Sequence, residues 1–195
     1  TVNEMVGRTD KLETNNAVEH WWKTQGVDLT GLLAMPIAPS QVATYHCQPQ
    51  DHGLDKALDH ELIQRCKEAL EHQRPVRIEL PIRNANRTVG AMLSGEVAKR
   101  YGEEGLADDT IQCFFTGSAG QSFAAFLAKG LSFTLKGDTN DYFGKGVSGG
   151  RLVVVPPEES PFVPEENIIM GNVALYGATG GEVFIRGMAG ERFCV

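Results

Sequence analysis

The feature that most constrains this chain is a four-residue pattern of glycine, any residue, a small residue and glycine, which recurs four times in its second half. It occurs as Gly117-Ser118-Ala119-Gly120, Gly146-Val147-Ser148-Gly149, Gly177-Ala178-Thr179-Gly180 and Gly187-Met188-Ala189-Gly190. Each copy is followed, one residue on, by a β-prone run: SFAAF, RLVVV, EVFIR and RFCV. Two more runs, Leu131 to Leu135 and Asn140 to Phe143, fall between the first two glycine turns. A strand of about five residues with a tight turn makes a step of about ten, and three such steps make one coil of about thirty. Glycine at the corners supplies positive φ and close backbone approach. The expectation is a mainly β fold, a parallel β-solenoid of stacked coils, because one coil alone cannot cover its apolar faces.

The first half reads differently. Asn15 or Asn16 would cap a short helix bearing Val18, Trp21 and Trp22, ended by Gly26. From Pro36 to Gly53 the composition turns to Pro, Gln, Ser and Thr, a surface linker. Leu54 to His72 is the clearest helix: Leu58, Leu62, Cys66, Ala69 and Leu70 recur at helical spacing, while Lys56, Asp59, Glu61 and Arg65 take the other sides. Val76 to Leu80 alternates as a half-buried strand before Pro81, and a second helix is expected from Ser94 to Gly102. Two domains follow: an N-terminal α and linker segment over 1–53 and the glycine-rich domain over 54–195. Pro156 to Glu166, with four prolines and four glutamates, is a loop bulging from one corner.

The totals narrow the partners. Eighteen Lys and Arg against 25 Asp and Glu leave a net charge of −7, so no basic footprint for nucleic acid is present. No apolar run approaches the ~18 residues that span a bilayer. The four cysteines, Cys47, Cys66, Cys113 and Cys194, are widely spaced and read as free thiols in a reducing cytoplasm. The chain begins at Thr1 rather than Met and stops within an expected strand, the look of a piece of a longer protein.

Gly144 to Gly149 satisfies G-x-G-x-x-G, the pattern of a dinucleotide phosphate loop. That chemistry needs a helix after the glycines, whose N-terminus faces the pyrophosphate. Here Leu152 to Val155 and then Pro156-Pro157 follow, so no helix begins, and Lys145 precedes Gly146 rather than the Ser or Thr of a Walker loop. The loop is read as a corner. Asp138 and Asp141 in the corner Gly137-Asp-Thr-Asn-Asp141 are the one carboxylate pair that would suit calcium or sugar cleavage, and Asx turn chemistry is the simpler reading. His46, Cys47 and His52 match no metal-ligand spacing. Cys113 shares a side with Ile111 and Phe115, as a buried thiol would, and no histidine occurs after His72 to activate a nucleophile in the repeat region. No residue is assigned a catalytic, cofactor-binding or metal role.

Four stretches resemble, closely, the C-terminal G-x-G-x-G domain of the glutamate synthase large subunit: Gly117 to Phe123, Gly137 to Gly150, Asn167 to Gly181 and Arg186 to Phe193. Met5 to Asp10 also resembles the passage after that family's FMN-binding barrel. The resemblance implies a right-handed parallel β-helix without chemistry of its own. It implies too an oxidoreductase parent that makes glutamate from glutamine and 2-oxoglutarate with FMN and an iron-sulfur cluster, electrons coming from NADPH or ferredoxin. The implied partners are the parent's glutaminase and FMN-barrel domains, with the small electron-transfer subunit as a further one. The nucleophilic N-terminal cysteine, the barrel and the cluster's cysteines are absent from this sequence, so the isolated segment is expected to be inactive.

One inference stands on the residues. Leu152 to Val155, Ile168 to Met170 and Val183 to Ile185 are apolar at successive positions, so both strand faces are expected to be covered. The helix at 54–72 and neighbouring domains are the expected cover, making the domain a rigid brace between glutaminase and synthase sites. The alternatives are a stand-alone nucleotide-binding enzyme using the Gly144–Gly149 loop, and a carbohydrate-active solenoid.

Overall fold

The computed structural model describes residues 1–12, 26–35, 37–43 and 46–195. The chain divides into two compact units, Thr1–His52 and Gly53–Val195. In the first, the described residues form the short helical turns α1 (Val2–Met5) and α2 (Thr30–Leu33), neither with a buried residue. The helix expected on Val18, Trp21 and Trp22 lies outside the described residues.

The second unit corrects the expected fold. It is not a β-helix but an α/β fold, a five-stranded parallel sheet flanked by helices. The helical segment begins at α3 (Asp59–Arg65), five residues later than expected, and continues after a break at Cys66 as α4 (Lys67–His72). Strand β1 (Val76–Ile82) runs through Pro81, which an edge strand tolerates because one side of its backbone needs no ladder bond. Helix α5 (Ala91–Tyr101) lies in the crossover to β2 (Ile111–Ala119), as parallel pairing demands. Then come β3 (Leu131–Thr139), β4 (Ser148–Val155), the two-residue β5 (Val173–Ala174), β6 (Gly180–Ile185) and β7 (Arg192–Phe193). The sheet order is β1-β2-β3-β4-β6, all parallel, and β5 and β7 pair apart from it.

The ten-residue step fails for a local reason. The run SFAAF is not a strand: Ser122, Ala124 and Phe126 all have φ near +60°. Tyr142, Gly144 and Gly146 repeat that alternation, and Asn140 to Phe143 contributes one isolated bridge, Phe143 with Ala174. The β-prone letters encoded apolar burial there, not extended backbone. These turns stack on one another through the amides of Ser122, Phe126 and Tyr142, which donate to the carbonyls of Asp141, Lys145 and Val173 at 2.7–2.8 Å.

The core lies between the sheet's inward face, the helices and these turns. Ile111, Cys113 and Phe115 of β2 and Leu131, Phe133 and Leu135 of β3 point inward, as strand alternation dictates. Phe115, Phe123 and Phe133 meet at ring centroid distances of 5.2–5.8 Å, and Phe143 stacks on Phe123 at 6.4 Å. Leu62, Cys66, Ala69 and Leu70 from α3 and α4, and Leu93 and Val97 from α5, are buried in the same cluster. Each buried Leu, Val or Phe among them contributes roughly 1.5–3 kcal/mol. The Tyr101 hydroxyl donates to the Leu70 carbonyl at 2.8 Å and ties α5 to α4.

The helices therefore cover the inward face, and the expectation that they shield the outer positions is overturned. Outward, Glu79, Phe114, Thr134, Val153 and Phe184 stand in register across the sheet. Val153 and Val155 are half-buried and Phe184 is 55% exposed. The Arg77 guanidinium covers Phe114 at 3.9 Å from the ring centroid. The loop after β4 is held by ion pairs of Glu158 with Lys136 (3.8 Å) and Glu165 with Arg186 (3.1 Å).

Candidate functional site

The glycine loop that resembles a phosphate cradle has its backbone donors engaged. The amides of Gly144, Lys145, Gly146 and Val147 donate to the carbonyls of Phe123, Tyr142, Tyr176 and Gly144, and those of Ser148 and Gly150 donate to that of Leu127. A nest that holds an anion needs such N–H groups free. The loop's glycines serve packing instead. Gly144 and Gly146 have φ of +59° and +63°, and a Cβ on either would lie 2.6 Å from Leu175 or 2.7 Å from the Phe126 ring. The Lys145 ammonium rests over the Tyr142 ring, 5.3 Å from its centroid.

Cavities lie at both ends of the sheet's strands, and another, of about 420 Å³, lies beside Val147, Leu175 and Val183. At the amino ends of the strands, one of about 270 Å³ is lined by Asp109, Ser132, Arg151 and Glu182 among others. Arg151 donates to Glu182 at 2.8 Å and to Asp109 at 3.2 Å, and Ser132 donates to Asp109 at 2.6 Å. The Glu182 hydrogen bond, with Asp109 beside it, raises the guanidinium's pKa above its ordinary value. Asp108 and Lys129 complete the charged lining, three carboxylates against two cations.

At the carboxyl ends, a second cavity of about 450 Å³ is lined by Asn84, Ser118, Asp138, Thr139 and Asn140, with Ile168, Ile169 and Met170 opposite in sequence character. Ligands of open parallel sheets collect at this end of the strands. Ser118 donates to Asp138 at 2.6 Å, and the Asn140 side-chain Nδ2 donates to Asn84 Oδ1 at 3.1 Å. The Thr139 hydroxyl is buried without a hydrogen-bond partner. Asp141 does not join this lining; its Oδ1 accepts from the Val173 amide at 3.2 Å. The carboxylate pair read from the sequence is thus divided between two tasks. The edge is shaped by a glycine column: Ile82 pairs with Gly117, which pairs with Gly137, and a Cβ on Gly137 would lie 1.8 Å from the Gly117 carbonyl oxygen.

A buried carboxylate escaped the sequence reading, which put Asp59 on the polar side of its helix. Asp59 is 2% exposed and accepts from the amides of Gly90, Met92 and Leu93 at 2.9–3.1 Å. It caps α5 from another helix, where the macrodipole favours an anion. Burial pushes the Asp59 carboxyl above its ordinary value, and the three amides oppose that. The available signal was at the far end: α5 follows Gly90, with no Ser, Thr, Asn or Asp of its own to cap it. Nearby, a hydrogen bond with the Cys66 thiol, reinforced by burial, holds Cys113 well above the usual thiol range, which excludes it as a thiolate nucleophile. Cys47 and Cys194 are exposed. Among the described residues, His46, Cys47 and His52 belong to no group of three or more metal-ligating side chains. No helix among the described residues is long and apolar enough to cross a membrane.

The glycine-walled sheet edge and its spent loop have a family context. The family model for the GXGXG motif matches residues 59–195, and the chain belongs to that family. All of the chain aligns with glutamate synthases: it is 53% identical to "Glutamate synthase [NADH]" of Schizosaccharomyces pombe, 46% to "Glutamate synthase [NADPH] large chain" of Bacillus subtilis and 40% to "Ferredoxin-dependent glutamate synthase, chloroplastic" of Spinacia oleracea. It spans 9%, 13% and 12% of their respective lengths, so it corresponds to the GXGXG-motif domain of such an enzyme.

Proposed function

We propose that this chain is the non-catalytic brace of a glutamate synthase, holding the glutaminase and FMN-barrel domains in register while those domains make glutamate from glutamine and 2-oxoglutarate. The observation that carries the reading is the glycine loop, whose amides are bonded to neighbouring turns rather than turned towards a ligand. The outward row of Phe114, Val153 and Phe184 supplies a face on which another domain can pack. In this reading the chain holds no cofactor itself. FMN, the iron-sulfur cluster and the electron donor belong to the rest of the enzyme, with the small electron-transfer subunit as a further partner. Relatives whose names specify NADH, NADPH or ferredoxin are all similar to this segment, which supports a role upstream of donor choice. The cytoplasm is part of the same proposal, resting on the free thiols.

The test places Val153→Asp with Val155→Asp in a complete glutamate synthase carrying this segment. Glutamine hydrolysis should persist while glutamate output falls about tenfold, because a charge in a packed face costs about the 1.4 kcal/mol of one decade or more. Unchanged coupling would overturn the brace, as would turnover of glutamine by the isolated chain.

A further inference from the structure

Seven of the ten arginines pair with a carboxylate, which their planar fork matches. Arg83, Arg87 and Arg192 have no carboxylate partner among the described residues, and all three are exposed. Arg83 and Arg87 share one short loop at the carboxyl end of β1. That loop is fixed. The Asn86 amide donates to the Arg83 carbonyl at 2.8 Å and the Arg83 amide to Asn86 Oδ1 at 2.9 Å, a turn that brings the Cα atoms of Arg83 and Asn86 within about 7 Å. The Gly120 amide donates to the Asn86 carbonyl at 3.2 Å, and the Thr88 amide to the Gln121 carbonyl at 2.8 Å. A Cβ on Gly120 would lie 2.4 and 2.5 Å from the carbonyl oxygens of Asn84 and Asn86, so the turn is pressed against the chain after β2. Thr88 is held at φ +57°, a left-handed conformation that a β-branched residue rarely adopts, and strain of that kind gathers at functional sites.

What the loop holds in place is uncompensated positive charge. The Arg87 guanidinium donates to the side-chain oxygen of Gln121, a neutral group that orients the fork without cancelling its charge. The Arg83 guanidinium makes no hydrogen bond or ion pair among the described residues. Neither side chain lines the cavities at the strand ends or the one beside Val147. Small ligands take concave sites that enclose them, so an exposed pair of guanidiniums suits a partner with a surface of its own. The net charge of −7 argues against a nucleic-acid phosphate. We propose that loop 83–88 is a docking site for carboxylates on another domain of the parent glutamate synthase, each guanidinium taking one carboxylate through paired N–H groups. The inference rests on the brace reading, in which the remainder of the enzyme packs against a chain that spans only 9–13% of its relatives' lengths. To the apolar outer face it adds a charged contact that fixes register, the part that electrostatic complementarity plays at interfaces.

The test uses a complete glutamate synthase carrying this segment. A carbodiimide joins carboxylates to amines but not to guanidiniums, so an arginine-to-lysine change turns the proposed contact into a cross-link. In Arg83→Lys and in Arg87→Lys, mass spectrometry of the digested enzyme should find an amide bond between the introduced amine and an Asp or Glu of the glutaminase or FMN-barrel domain, absent from the unsubstituted enzyme. Arg83→Glu with Arg87→Glu should lower glutamate output about fivefold while far-UV circular dichroism stays unchanged. Arg74→Glu removes an exposed arginine that is already paired with Glu68, and as the control for charge alone it should leave output unchanged. Cross-links only to carboxylates within this segment, no cross-link from either lysine variant, or full output from the double charge reversal would each overturn the proposal. The outcome is separable from that of the brace. If Val153→Asp with Val155→Asp keeps full coupling while the cross-link forms, the brace fails and the docking site stands; lost coupling without a cross-link sinks the docking site alone.

Discussion

The two ends of the sheet carry similar side chains and resolve them differently. At the amino end Arg151 sits between Asp109 and Glu182 and pairs with both. At the carboxyl end Asp138 has a hydroxyl partner, and the hydroxyl of Thr139, on the other face of β3, has none among the described residues. The first is a closed network that staples strands; the second keeps unspent hydrogen-bonding capacity. The difference teaches that polarity in a cavity points to a ligand only where the protein has left that polarity unsatisfied.

The comparison breaks most visibly at the glycines beneath each end. Gly137→Ala should cost about 4 kcal/mol, because its new Cβ meets a backbone oxygen at 1.8 Å, with φ at +155°. Gly149→Ala at the amino end meets the Lys129 Cβ at 2.9 Å and its backbone Cα and N at 3.2 Å, a looser approach than at Gly137, and should cost about 1–2 kcal/mol. Urea denaturation of both variants checks the gap, and equal costs would show that the two edges are built alike.

Asp59 tests the layer beneath the sheet. Asp59→Ala strands three buried amides and should cost about 3 kcal/mol in the same denaturation. Its pH dependence has a definite sign. The folded carboxyl is raised above its unfolded value, so the folded state binds more protons between the two. Stability should therefore fall as pH rises through that window and be level below it, and Asp59→Asn should remove the slope in melts across mildly acidic pH.

The side chains of the two cavities give smaller and opposite effects. Thr139→Val removes an unpaired hydroxyl and should raise stability by about 1 kcal/mol. Arg151→Ala should lose no more than about 0.5 kcal/mol, and less in high salt, because its ion pairs are substantially exposed. A large loss on removing Arg151 would make the amino-end network more than a surface staple.

Much of this was legible along the chain. Strands β2, β3 and β4 lie where Ile111 to Phe115, Leu131 to Leu135 and Arg151 to Val155 alternate or run apolar, and α4 ends before Pro75. The run SFAAF misled, because Phe123 and Ala125 are buried whether the backbone is extended or, as here, alternates through left-handed residues. At the candidate site, Asp138 was visible as a corner residue. Its cavity was not, since Ser118, Asn84 and Ile168 reach it from distant parts of the chain.

What the sequence determined by itself is which positions must be dry, because the apolarity of Phe115 and Phe133 is a property of single residues, whereas the need for glycine at Gly117 and Gly137 comes from carbonyl oxygens of Ile82 and Gly117 on neighbouring strands. What only the tertiary structure decided is which polar groups find partners. The Asp59 carboxylate meets the amides of α5 and the Thr139 hydroxyl meets no partner among the described residues, although both are short polar side chains. Hydrogen bonding is a relation between groups that folding brings within about 3 Å, and one-dimensional spacing carries no record of it.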